Sequence, residues 1–384
     1  MEKRLILLVT FLSVVMIAMA QPVSDSDTSE SVRSEYCVRG AQYPRITPDH
    51  RAQFKVVAPE AKLVQIDLGK KYDLVRNEKG EWLGTTEPLG PGFHYYFLIV
   101  DGVRVADPSS ESFYGCSMHT SGVEIPYAKD VLQYELADVP HGEVRMKRYF
   151  SKTANAWRCM FVYTPHCYEK SEKEYPVLYL QHGGGEDERG WVLQGRTDII
   201  LDNLIAQQKA VPMVIVMCDG NSQDFTAELL NDCIPFVEEN YRVKKDRSHR
   251  ALAGLSMGGI HTLNTVIPHP ELFAYVGVFS SGWWAKAPMP GLMKMDTETY
   301  YSLLQEKKDE YNVSFKEFWI SMGGKEDIAY ENCRIMRERF DKIGIKYTYY
   351  ETNGGHTWPV WRESLYQFAP VSYTHLTLPT TSRV

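Results

Sequence analysis

The chain has 384 residues, a formal net charge of −7 and no basic run beyond short clusters such as Lys244-Lys245-Asp246-Arg247, which argues against nucleic acid as a partner. Hydrophobic residues at 44% and charged residues at 24% suit a globular chain that buries a core, in two domains or one large one. The seven cysteines are odd in number and contain no C-x-x-C; export would permit disulfides, but the spacing demands none and fixes no pairing, and metal-type Cys/His clusters are absent. Cys218 and Cys233 lie in apolar stretches and read as buried thiols.

Residues 1–20 have the form of a secretory signal: Lys3 and Arg4, an apolar run, then Ala18-Met19-Ala20 before Gln21. The run is short for a membrane anchor, and acidic, Ser-rich sequence follows it. A secreted or periplasmic protein is expected, with no membrane attachment after cleavage. Removal takes away one acidic and two basic residues, moving the net charge from −7 to −8. Residues 21–42 are expected to form a disordered leader, being polar at their start.

Short strands are expected at 51–57, 63–68, 72–76, 81–86, 94–100 and 103–106. Asn77-Glu78-Lys79-Gly80 marks one turn, and Asp101-Gly102 a two-residue hairpin. Residues 43–126 thus read as an all-β, immunoglobulin-like sandwich. Phe54-Lys55-Val56-Val57-Ala58-Pro59, Glu81-Trp82, Pro91-Gly92-Phe93-His94-Tyr95-Tyr96 and Ala106-Asp107-Pro108 resemble the early-set sandwich that precedes many glycan-active enzymes. Trp82, Tyr95 and Tyr96 could stack on sugars, but alternating aromatics in strands mostly pack, and packing in the sandwich core or against the next domain is the favoured reading.

Residues 127–141 read as a linker. Over 142–370, antiparallel strands at 144–150 and 156–164 lead into apolar strands at 176–180, 213–217, 251–253, 275–279, 318–322 and 346–351. Helical stretches at 198–207, 227–240, 259–267, 330–343 and 360–368 alternate with them. A mostly parallel central sheet flanked by helices follows, with ligands at the carboxyl ends of its strands. The longest interruption, 280–314, holds an expected exposed helix at 296–309. The stretch 371–384 does not continue the pattern. It reads like translated sequencing adapter and is expected to be a non-native tail; finding it encoded in the genome would overturn that.

Gly254-Leu255-Ser256-Met257-Gly258 fits G-x-S-x-G between a strand and a helix, the nucleophile elbow of α/β-hydrolases. Alone the pattern is weak, since roughly 0.1 chance matches are expected in a chain of this length. A serine hydroxyl needs a base, and the base needs a group to hold it. His356, in Gly354-Gly355-His356-Thr357-Trp358 between the last strand and the last helix, is the candidate base. Asp327, after the strand at 318–322, is the candidate acid, with Glu326 and Glu331 as alternatives. Oxyanion donors are expected from the N–H of Met257 and from Leu180-Gln181-His182-Gly183-Gly184-Gly185, Gly184 before Gly183. His182 is expected to fix that loop. Trp191, Trp283, Trp284 and Trp358 fall in loops expected to ring the site and are candidate substrate-binding residues.

Together His182-Gly183-Gly184-Gly185-Glu186-Asp187, Gly190-Trp191, Asp202-Asn203-Leu204-Ile205-Ala206, the elbow and Gly354-Gly355-His356-Thr357-Trp358 resemble carbohydrate esterase family 1, the esterase D-like feruloyl and acetylxylan esterases. The resemblance covers about residues 140–370. It implies a secreted serine carboxylic ester hydrolase, needing no cofactor and acting on feruloylated or acetylated plant polysaccharide. Feruloyl esterase is the first expectation and acetylxylan esterase the second. A siderophore esterase, an acyltransferase and a catalytically dead glycan-binding protein are the alternatives. The oligomeric state is not legible.

Overall fold

The computed structural model describes residues 30–286 and 295–373. The expected signal segment and residues 374–384 of the expected tail lie outside the described residues. Among the described residues no helix is long and apolar enough to cross a membrane.

Two sheets form an N-terminal sandwich. One runs in the order Val32–Arg33, Arg45–Ile46, Arg51–Val57, Glu81–Pro88, Val75–Arg76; the other runs Ser112–Gly115, Met118–Ile125, Gly92–Val100, Val64–Asp67, Lys71–Asp73, with Val103–Val105 paired to Gly92–Val100. Alternate residues point inward, and Phe54, Val64, Ile66, Trp82, Tyr96, Leu98 and Val123 form the core. Trp82 and Tyr96 therefore pack, their polar tips satisfied by Ala58 O at 2.8 Å and Asp107 Oδ2 at 2.8 Å. Asp101 and Gly102 carry the positive φ values, 48° and 86°, that a tight hairpin requires.

Three boundaries differ from expectation. Residues 30–42 are not a free leader: Val32–Arg33 pairs with Arg45–Ile46, and the Tyr36 ring packs edge-on against Phe93 and Phe113. Tyr36 and Cys37, in a stretch whose apolar residues are too sparse to show a period, are buried by neighbours distant in sequence. The expected linker is docked as well. Tyr134 is buried, and Asn203 Nδ2 donates to the carbonyls of Leu132 and Glu135 at 3.1 and 2.9 Å. The strand expected at 72–76 divides between the two sheets.

The second domain is built on eight strands: β1 Glu143–Ser151, β2 Ala156–Thr164, β3 Val177–Gln181, β4 Val214–Cys218, β5 Arg250–Leu255, β6 Tyr275–Phe279, β7 Glu317–Met322 and β8 Thr348–Glu351. Their order is β1-β2-β4-β3-β5-β6-β7-β8. The first two run antiparallel to their neighbours and the rest are parallel. Val177 and Tyr179 face one apolar layer, Leu178 and Leu180 the other, so the central strands are apolar on both faces. Flanking helices include α1 Thr197–Ala206, α2 Ile234–Asn240, α3 Met257–Val266, α4 Tyr330–Ile343 and α5 Trp358–Val371. This is the α/β-hydrolase fold. Pro370 lies in the last turn of α5, where it removes one helical N–H donor, yet the chain packs on through Tyr373, whose ring meets Tyr275 at 4.8 Å and whose hydroxyl donates to Val177 O. The domain therefore extends past residue 370, and residues 371–373 of the expected tail belong to its packed body.

Candidate active site

At the carboxyl end of β5 the backbone reverses into α3 within one residue. Ser256 takes φ 51° and ψ −116°, a conformation non-glycine residues rarely hold. The turn persists because its surroundings over-determine it. The Ser256 N–H donates to Phe279 O at 2.9 Å, and its carbonyl accepts from Ser281 Oγ at 2.6 Å. The two motif glycines follow from distance: a Cβ on Gly254 would lie 2.4 Å from the Gly258 backbone, and one on Gly258 would lie 2.6 Å from the carbonyls of Gln181 and His182.

Two further loops converge on the serine. His356, between β8 and α5, presents Nε2 to Ser256 Oγ at 2.9 Å and Nδ1 to Asp327 Oδ1 at 2.8 Å. Asp327, buried between β7 and α4, also accepts from the Ala329 N–H at 2.8 Å. An ionised carboxylate only accepts, so Nδ1 carries the imidazole proton and Nε2 is left to accept from the serine hydroxyl. The Trp361 ring, edge-on at 5.1 Å, walls the imidazole. Of the alternative acids, Glu326 is exposed and uses Oε1 to accept from the Gly354 N–H at 3.1 Å, stitching the two loops together. Glu331 is half-buried and paired with Lys286 and Arg334. Neither faces the imidazole.

Gly184, exposed, lies over the start of α3: a Cβ built on it would be 4.0 Å from Met257 Cβ. Among the described residues neither the Gly184 nor the Met257 N–H has a hydrogen-bond acceptor. Met257 opens α3, so its N–H also sits at the positive end of the helix dipole. Gly183 is wedged behind, within 3.3 Å of Ser256 Cβ from its built Cβ, and its carbonyl accepts from His182 Nδ1 at 2.8 Å. His182 Nε2 accepts from the Gly220 N–H at 2.8 Å, so this histidine ties the loop to the one after β4.

The tryptophans are where expectation and structure part. Trp191, Trp283 and Trp358 are buried to within 2% exposure and do not line a cleft. Trp191 and Trp358 meet edge to face beneath the site, and Trp191 donates to Gln181 O at 2.9 Å. Trp283 stacks on Tyr300 and donates to Asn264 Oδ1 at 2.8 Å. Loop position along the chain carries no information on which way these rings turn, and their large apolar faces go to the core. Trp284 is partly exposed and partly packed.

Sequence reasoning missed the bracing from the sandwich. The turn Cys116-Ser117, with φ 53° and 65°, reaches the oxyanion loop, where the Ser117 N–H donates to Gly185 O at 2.8 Å. Next in the loop, Glu186 is buried, and its Oε1 accepts from Tyr95 Oη and Trp358 Nε1, each at 3.0 Å. Burial pushes this carboxyl up to about 8. The Gly-Gly-Gly-Glu run is a visible signal, and Tyr95 is expected to pack in the sandwich or against this domain; the Cys116-Ser117 turn is not visible.

The geometry sets a serine hydroxyl on an oriented imidazole, beside two amides with no acceptor among the described residues. The Esterase family model matches residues 151–370. The chain belongs to the Esterase family. Within it, the chain is 40% identical over 266 residues, 63% of its length, to an endo-1,4-β-xylanase/feruloyl esterase of Xylanibacter ruminicola. The match spans 36% of that longer relative. Among solved structures, a ferulic acid esterase is 25% identical with a TM-score of 0.54, covering 62% of this chain and 99% of its own. An enterobactin esterase from Shigella flexneri has a TM-score of 0.64 and covers 83% of this chain and 92% of its own, at 18% identity, a likeness of fold alone.

Proposed function

We propose that this esterase is a secreted serine carboxylesterase that removes hydroxycinnamoyl groups, ferulate first, from arabinoxylan. The observation that carries the catalytic half is the line from Ser256 Oγ to His356 Nε2 at 2.9 Å and from His356 Nδ1 to Asp327 Oδ1 at 2.8 Å. Similarity to the xylanase/feruloyl esterase and to the ferulic acid esterase supports the substrate half. The tryptophans no longer argue for a phenolic acid, since three of the four are core residues.

In the proposed reaction, Ser256 Oγ bonds to the ester carbonyl carbon as His356 Nε2 takes its proton. The Met257 and Gly184 N–H groups stabilise the negative oxygen. The carbon–oxygen bond to the sugar then breaks, and His356 returns the proton to the departing hydroxyl. Water, deprotonated by the same imidazole, attacks the acyl-serine and releases the acid. Asp327 holds the tautomer and favours the imidazolium.

Ferulate released from arabinoxylan by wild type and by Ser256→Ala, with acetylated xylan and a catecholate ester as parallel substrates, tests the reading. Ferulate is expected from wild type alone, with a loss on the order of 10⁶-fold in the variant. Turnover of acetylated xylan without any feruloyl ester would move the assignment to acetylxylan; turnover of the catecholate ester alone would move it to siderophores.

A further inference from the structure

The β1–β2 hairpin extends past the end of the sheet. In the ladder Met160 stands opposite Cys218, the last residue of β4, and β2 runs antiparallel to β4. Residues 159 back to 156 therefore project beyond the carboxyl ends of the parallel strands, where Ser256 lies. At about 3.3 Å per residue, Trp157 stands roughly 10 Å beyond that level. Between β2 and β5 lie two strands, so the lateral offset to the serine is three strand spacings, roughly 14 Å.

Trp157 is 72% exposed, and Phe150, its cross-strand partner, 46%. Their rings meet edge to face at 5.8 Å, which leaves a face of the indole open. Both belong to the row Phe150/Trp157, Arg148/Cys159, Met146/Phe161 on one face of the hairpin. That face is the one from which Phe161 packs toward the layer shared with the sandwich. The row is continuous with the oxyanion loop: Arg148 and Glu188 flank the Cys159 thiol, and the next residue, Arg189, carries its guanidinium over the Tyr114 ring of the sandwich hairpin at 5.9 Å. A band of exposed rings alternating with charged hydrogen-bonding groups thus leads away from the site between the two hairpins.

We propose that Trp157 and Phe150 form a stacking platform for the sugar chain that bears the ester, several residues away from the bond being cut. A sugar ring suits this surface because its C–H face is apolar while its hydroxyls lie at the rim, where Arg148 and Glu188 stand. An exposed large apolar patch on a soluble chain marks a contact surface, and its place at the active-site end of the sheet selects the polymeric substrate as occupant. The platform rests on the proposed polysaccharide substrate, and the test separates the two.

Full-length protein is compared in two assays. The first is retardation of Ser256→Ala, with and without Trp157→Ala, in gels containing de-esterified arabinoxylan. The second is kcat/KM on feruloylated arabinoxylan divided by kcat/KM on methyl ferulate. Val313→Ala, 84% exposed on the helix Lys308–Ser314 that leads into the amino end of β7, serves as control. Trp157→Ala is expected to abolish retardation and to lower the ratio about tenfold through KM on the polymer; the control keeps both. Unchanged retardation and an unchanged ratio overturn the platform. So does a Trp157-dependent dimer in sedimentation with retardation intact, which makes the face an interface between copies. Trp157-dependent retardation in a protein that hydrolyses no feruloyl ester sinks the feruloyl reading and leaves the platform standing.

Discussion

Ser256 holds a φ of 51°, and the residues around it explain why that strain is retained. Only a reversed backbone lifts the hydroxyl off the end of β5 into reach of His356, while the next N–H turns toward the same point. Asp327 and Glu326 are adjacent in sequence but unlike in place, one buried against the imidazole, the other exposed and holding Gly354. Asp327→Asn should lower kcat by about 10⁴-fold by allowing the wrong tautomer, whereas Glu326→Gln should stay within about threefold; steady-state kinetics on methyl ferulate checks both. The type and order of the three catalytic candidates were legible, because motif and spacing constrain them. Asp327 is preferred to Glu326 from its place after the strand, and the side-chain directions, which packing sets, put Asp327 and not Glu326 on the imidazole. Glu186 gives a second prediction. Its carboxyl is raised from 4.5 to about 8 by burial, so folding favours the protonated form. Its contribution is harmless below about pH 4.5, where both states are protonated, and the folded state loses stability as pH rises toward 8. In Glu186→Gln, which keeps an acceptor for Tyr95 and Trp358, Tm relative to wild type should rise between pH 5 and pH 8. A constant difference across that range would contradict a protonated Glu186.

At the scale of elements, the oxyanion loop is held from behind by a hairpin of the other domain. Alternation and glycine placed the central strands of the sheet to within a residue or two. The hairpin Ser112–Gly115 and Met118–Ile125 escaped notice, since its turn is Cys116-Ser117 and carries none of the Asn-Gly or Asp-Gly chemistry that betrays such turns. The direction in which the tryptophan rings point was illegible for the same reason: it depends on elements far away in sequence. If the brace positions Gly184, Tyr95→Phe, which strips a donor from Glu186, should lower kcat about tenfold, part of the hundredfold or more that losing an oxyanion donor costs. KM should change by less than about twofold, and Cys116→Asn with Ser117→Gly, a sequence that favours the same turn, should keep wild-type kcat. A matching rise in KM without loss of kcat in Tyr95→Phe would assign the brace to substrate binding instead.

Across the whole molecule the sandwich and the esterase domain share one interior. Phe93 and Phe113 of the sandwich belong to the same apolar layer as Leu180, Trp358 and Phe368. Through that layer Arg362 of α5, fully buried, grips Glu124 of the sandwich with two hydrogen bonds of 2.6 and 3.1 Å, while Arg196 and Tyr36 approach the same carboxylate. Removing one partner of such a pair costs about 3–5 kcal/mol, because the other charge stays buried. Glu124→Gln should lower Tm accordingly, and wild type should unfold in calorimetry as one transition; two separated transitions would show domains that merely touch. The change in strand and helix pattern announced two domains but not their fusion, which joins that apolar layer to single charged residues in stretches that otherwise look like strand and terminal helix. The proposed esterase chemistry requires Ser256 as nucleophile with His356 as its base. Intact-mass and peptide mapping after reaction with an aryl phosphonate ester tests this most directly. One adduct is expected, on Ser256, forming far more slowly in His356→Ala and not at all in Ser256→Ala; an adduct on another residue, or full esterase activity in Ser256→Ala, would contradict it.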